Sequence, residues 1–260
     1  MKVEVVSMGN PYVLDVIKGN EDVVALTRKN ADFIEAVVGL DSNYKTDSDS
    51  ENPNATAYWF KQMKDKPEFY KSALKECIIK IDSANSTHLE STVNGRGEMF
   101  KIISEHCETI EDFKNAINVN PSSGSCDNLF FKLCKTMENH KGQKANNISF
   151  ASKFISYARK YLNKDLSFSK YDSVVSKKLS LYEHIYVDST KRIVARKYQN
   201  DPGERKVKSD LERQKYTYDK YVSYMEAIER ILKCLEEDNG IMINKEEFDH
   251  IVWYSSKGRQ

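Results

Sequence analysis

Most residue types that carry chemistry are spaced in this sequence in ways that exclude it. His88, His106, His140, His184 and His250 form no HxH, HExxH or HxxxH pattern, so the spacing offers no metal site. Cys77, Cys107, Cys126, Cys134 and Cys234 are scattered, odd in number and without a CxxC pair, which argues against both a disulfide framework and a zinc centre. Cys107 and Cys134 lie close in sequence to His106 and His140, but adjacency along a helix points side chains apart, so both thiols read as core residues. No GxGxxG, GxxxxGK[ST] or GxSxG occurs. What remains is an amine and a carboxylate: Lys153, on an apolar-striped segment, and Asp172, at the start of the next, 19 positions later. Such a pair can serve covalent or electrostatic catalysis. Taken singly, each has a plainer reading, a solvated helix lysine and a helix N-cap.

The elements that must position this pair are helical. Few glycines and prolines (10 and 5) in 260 residues favour long helices over turn-rich β structure. With 40% apolar residues the chain can bury a substantial core. Forty basic and 39 acidic residues nearly cancel, so a nucleic-acid site would have to be a local patch. The amino-terminal MKVEVVSMGNPYV lacks a signal-peptide apolar core, and no window approaches the roughly 18 apolar residues of a membrane span, so a cytoplasmic protein without membrane contact is expected.

Val3 to Val6 fits a short strand, broken by Gly9-Asn10-Pro11, and Glu21 to Val38 fits a first helix. Residues 41–56 are acidic and polar and read as a linker. Helices follow over AYWFKQMKDK, over PEFYKSALKECIIKI with Pro67 in its first turn, and over Glu98 to Cys107, Thr109 to Ile117 and Asn128 to Glu138. Gly95-Arg96-Gly97 reads as a turn. A basic bend, Lys141 to Asn147, precedes a helix from Ile148 to Leu162, followed by helices from Asp172 to Tyr186 and Leu211 to Leu235. Asn244 to Glu247 resembles a capping box opening the last helix. The expected class is mainly α, divided into an N-terminal region, 1–94, with the short strand, and a helical domain, 95–260.

Across Asn146 to Leu179, NNISFASKFISYARKYLNKDLSFSKYDSVVSKKL, the chain resembles the helix-hairpin-helix DNA glycosylases, in particular those of the 8-oxoguanine type. The resemblance rests on Ser152-Lys153-Phe154, on Tyr171-Asp172-Ser173-Val174-Val175 and on their separation. It implies a helical glycosylase-like body from about residue 95 and no cofactor. It also implies DNA as partner, Lys153 as a nucleophile attacking the sugar C1′, and Asp172 as the carboxylate stabilising an oxocarbenium-like transition state. The flipped base needs apolar or aromatic walls, for which Phe150, Phe168 and Trp253 are candidates. Members of that family carry a Gly-rich hairpin before the lysine. This chain has KGQKANNISFAS with the single Gly142, so Gly142, Lys141 and Lys144 hold phosphate in another way, or DNA binding has been lost. The histidine expected two residues after the aspartate is Val174 here.

Lys191 to Lys220 holds ten Lys and Arg against five acids, with Tyr198, Tyr216 and Tyr218 interleaved. Lys191, Arg192, Arg196 and Lys197 are therefore candidate phosphate contacts, with the tyrosines as stacking platforms. A solvated helix face explains the stretch equally well. The competing functional class keeps the scaffold without the chemistry: a glycosylase-like protein that binds a protein, nucleotide or nucleic-acid partner, for instance in phage–host conflict.

Overall fold

A computed structural model of the protein describes residues 5–6, 14–40, 48–85, 87–118, 120–121, 127–190, 193 and 209–257. Among them are ten α-helices and two small antiparallel sheets, of three and two strands, so the chain is mainly α. It packs as two units, each discontinuous in sequence. One comprises Met1–Asp41, Tyr171–Asp201 and Ser223–Gln260; the other comprises Ser42–Lys170 and Pro202–Val222.

The first unit opens with β1 (Val5–Val6), β2 (Val16–Ile17) and β3 (Asn20–Val24), in which β2 pairs with both neighbours. The β2–β3 turn is made at Lys18-Gly19, with Gly19 at φ +76°, a conformation in which only glycine is at ease. The helix expected from Glu21 therefore starts only at Arg28: α1 spans Arg28–Leu40. Val23 and Val24 suit a strand, and the Tyr182 hydroxyl donates to the Val24 carbonyl at 2.9 Å. The buried Asn30 then ties the sheet to α1. Its Nδ2 donates to the carbonyls of Asp15 and Ala25, and its Oδ1 accepts from the Asp15 N–H. Helix α8 is Ser173–Tyr186 and α10 is Lys245–Lys257. Both α1 and α8 pack against α10. The Asn244 side chain accepts from the Glu247 N–H while Glu247 accepts from the Asn244 N–H, the capping box expected there.

In the second unit α2 (Thr56–Asp65) leads through a 3-10 turn at Pro67–Phe69 into α3 (Tyr70–Asn85). A further 3-10 turn at Leu89–Ser91 precedes α4 (Gly95–His106). Residues 95–97, expected as a turn, form the first turn of α4. A Cβ on Gly95 would stand 2.3 Å from the Leu89 carbonyl oxygen, so glycine lets the helix begin directly against the preceding turn. Next come α5 (Ile110–Ile117), capped by Thr109, and α6 (Leu129–Leu133). Helix α6 is far shorter than the Asn128 to Glu138 expected. Beyond Cys134 the chain is extended, where Asn147 Nδ2 takes the Lys135 carbonyl at 2.7 Å. It then forms a hairpin of β4 (Met137–Glu138) and β5 (Lys144–Ala145).

Helix α7 (Ile148–Ala158) ends in a widened π turn at Arg159–Asn163, and Lys164 at φ +56° stops it. The core of this unit centres on Phe154, which meets Phe60, Phe113 and Phe150 at centroid distances of 6.4, 5.9 and 5.4 Å. The 30-residue helix α9 (Asp210–Asn239) gives its first part to this unit and its remainder to the other. No described helix is long and apolar enough to cross a membrane.

Candidate functional site

Lys153 lies in the second turn of α7, the helix that follows the hairpin. Its half-buried amine donates to the Asn85 carbonyl at 3.2 Å, at the last residue of α3. The C-terminal carbonyls of a helix are a natural seat for a cation. The Tyr157 hydroxyl, one turn further along α7, reaches the Asn85 side chain at 3.4 Å, and the Lys170 ammonium stands 4.8 Å over the Tyr157 ring. The environment of Lys153 is therefore polar, aromatic and partly desolvated. Tyr157, four positions after Lys153, was within reach of sequence reasoning through the helical repeat. Asn85, 68 positions away, was not.

Asp172 is the N-cap of α8, in extended conformation, with Oδ1 accepting from the Val174 N–H at 2.7 Å. The role expected from its position is thus fulfilled locally. Lys153 belongs to one compact unit and Asp172 to the other.

The hairpin before α7 is organised by Asn139. Its Oδ1 accepts from the N–H groups of Lys141 and Gln143, and its carbonyl accepts from that of Gly142, all at 2.9 Å. The backbone donors at the tip are consequently engaged inside the turn, and any phosphate contact here falls to side chains. Lys141 is exposed, whereas Lys144 bonds both oxygens of Asp210 at 2.8 and 2.9 Å. Gly142 sits at φ +72° with no atom closer than 3.6 Å to the place of a Cβ. Gly142→Ala should therefore cost about 1 kcal/mol through backbone strain alone, measurable as a lower denaturation midpoint without change of fold.

Of the aromatic candidates, Phe150 has 0% exposure and Phe168 is buried between Phe130 and Tyr221. Either could meet a base only if the core opened. Trp253 is half-buried on α10, edge-on to Tyr254. Lys191, Arg192, Arg196, Lys197 and Tyr198 lie outside the described residues. In the part of the basic stretch that is described, Tyr218 is buried, touches Phe131 at 5.2 Å and donates to the Pro121 carbonyl, so it anchors α9 instead of offering a stacking face. Tyr216 remains half-buried with Lys220 5.9 Å from its ring. Cys77, Cys107 and Cys134 are buried, and burial pushes the Cys107 thiol up to about 12. Among the described residues no three His, Cys, Asp or Glu side chains group as a metal site.

Sequence reasoning missed a second polar surface, within the unit that carries Lys153. His106 of α4 and Lys132 of α6 meet at 3.1 Å, beside Lys135 and Gln214, around a cavity of about 250 Å³. No motif joins these positions; only the packing of α4 and α6 does.

Comparison of the chain with protein-family models, with curated proteins and with solved structures finds no match.

Proposed function

We propose that this chain is a DNA-binding protein of the base-excision type, a glycosylase with lyase activity toward a modified base. The observation that carries this reading is the half-buried amine of Lys153, to which the family resemblance adds Asp172. Lys153 stands half-buried on the helix that follows a tight hairpin, and Asp172 caps the next helix. In the proposed reaction the unprotonated Lys153 amine attacks C1′ of an extruded nucleotide. The N-glycosidic bond breaks, and its electron pair leaves with the base, which is protonated from solvent or a neighbouring donor. Ring opening gives an iminium between lysine and sugar, from which loss of a C2′ proton expels the 3′ phosphate. The Asp172 carboxylate opposes the positive charge that builds on the sugar. The test is single-turnover release of free base and a strand break on duplexes carrying 8-oxoguanine. Lys153→Gln should abolish the strand break, and an equal rate in that variant would overturn the assignment. Glutamine keeps an N–H donor for the Asn85 carbonyl, so the loss would report on the amine and not on the packing of α3.

A second reading, a binding scaffold without catalysis, is favoured by the hairpin itself. Its tip N–H groups are held by Asn139, and Lys144 is paired with Asp210. Salt separates the two. A glycosylase that neutralises several phosphates loses DNA affinity steeply as salt rises, whereas a protein-binding scaffold retains no DNA even at low salt.

A further inference from the structure

We propose that the cavity bounded by α4, α6 and the first turns of α9 binds a small oxyanion of the phosphate class. Ile102, Glu105 and His106 lie on one face of α4; Lys132 comes from α6, Lys135 from just beyond it, and Gln214 from α9. Lys132 is half-buried and its Nζ stands 3.1 Å from His106 Nδ1. An ammonium can only donate, so Nδ1 accepts, and the neutral imidazole carries its proton on Nε2. Burial, and then the Lys132 charge, hold His106 below the ordinary histidine range, with Asp127 opposing. The other charges have partners: Lys135 bonds Glu98 at 2.6 Å, and Glu105 faces Lys101 at 3.9 Å. Lys132 has no carboxylate partner among the described residues.

The half-buried Lys132 ammonium is hydrogen-bonded by a neutral acceptor alone, with the carboxylates of Glu105 and Asp127 acting only at longer range, and the counter-charge that completes the site is the ligand. Two ammonium protons of Lys132 remain for it, and the Nε2 proton of His106 is a further donor on the same rim. At about 250 Å³ the cavity, open to solvent, has room for a phosphate group. That phosphate is either a free anion or one group of a nucleic-acid backbone. The site contains neither Lys153 nor Asp172 and does not depend on their roles.

The experiment is calorimetric titration of the full chain with inorganic phosphate at constant ionic strength, with chloride as control. Wild type, Lys132→Gln, Lys132→Arg and His106→Gln are compared. Saturable binding with a Kd on the order of 1 mM is expected, weakened about tenfold in Lys132→Gln and several-fold in His106→Gln, but nearly retained in Lys132→Arg. Equal affinity in wild type and Lys132→Gln, or no saturable binding to wild type, would overturn the proposal. The arginine and histidine variants keep the test valid if the glutamine variant unfolds. A short duplex oligonucleotide then distinguishes the sources. Loss of duplex affinity in Lys132→Gln marks the backbone phosphodiester, and loss of phosphate binding alone marks the free anion.

Discussion

Asp172→Asn is expected to slow base excision by about 10²–10³-fold while leaving thermal stability unchanged, because the substitution removes charge and keeps the cap. Asparagine and aspartate are near-equal N-caps, so the acceptor for the Val174 N–H survives. Asp172→Ala should lose both functions, the activity and about 1 kcal/mol of stability. The comparison of the two variants therefore separates the two roles that one carboxylate can play. Single-turnover rates and thermal melts on wild type, Asp172→Asn and Asp172→Ala are the measurement. Should Asp172→Asn excise base as fast as wild type, Asp172 is a cap and nothing more.

The largest stability effect is expected at Asp82, near the C-terminal end of α3. Its side chain, 1% exposed, accepts from Thr87 Oγ1 at 2.6 Å, the Leu89 N–H at 2.9 Å, the Glu90 N–H at 3.2 Å and Arg96 Nε at 2.7 Å. One carboxylate thus closes the turn at Leu89–Ser91 onto α4. Backbone bonds then sew that turn to the hairpin, from the Val93 N–H to the Glu138 carbonyl and from the His140 N–H to the Ser91 carbonyl. Asp82→Ala strands a buried N–H and removes the buried partner of the Arg96 guanidinium, which keeps only the exposed Glu90 carboxylate at 3.1 Å and the Ser83 hydroxyl at 3.3 Å. Arg96 retains 31% exposure and can recover some hydration, so the loss should be about 3 kcal/mol, below the extreme for a fully buried pair. For a chain of this size that corresponds to roughly 6–12 °C in Tm. Because Asn85 lies only three residues on, Asp82→Ala should also loosen the carbonyl that holds Lys153. A melt unchanged within about 2 °C would mean that the loop stands without this carboxylate.

Much of the helical order was legible because its signals are local. The Asn244 to Glu247 box, the Asp172 cap and the apolar stripe of Ile148 to Ala158 each lie within a few residues of the element they define. Where the deciding contact is distant, local reading failed. Val23 and Val24 sit in a segment whose periodicity fits a helix, and a hydroxyl 158 positions away, on Tyr182, helps hold it as a strand. Helix α6 stops early at a place where the Asn147 side chain captures the Lys135 carbonyl from beyond the hairpin. The candidate pair shows the same division. Lys153 and Asp172 were legible as residues on a helix and at a helix start. The seat of the Lys153 amine against Asn85, the burial of Phe150 and Phe168, and the meeting of His106 with Lys132 depend on tertiary packing that no spacing announces. Tyr218 is the sharpest case: interleaved with lysines it reads as a stacking platform, yet Phe130 and Phe131 of α6 close over its ring and the Pro121 carbonyl takes its hydroxyl.

The proposed function turns on a covalent bond between Lys153 and a sugar. The most direct test is borohydride trapping on duplex and single-stranded oligonucleotides carrying an abasic site or 8-oxoguanine, with Lys153→Gln alongside. A reduced protein–DNA adduct is expected with wild type, mapping to Lys153 and absent from Lys153→Gln. Wild-type protein that gives no adduct on any of these substrates, or an adduct that persists in Lys153→Gln, would contradict it.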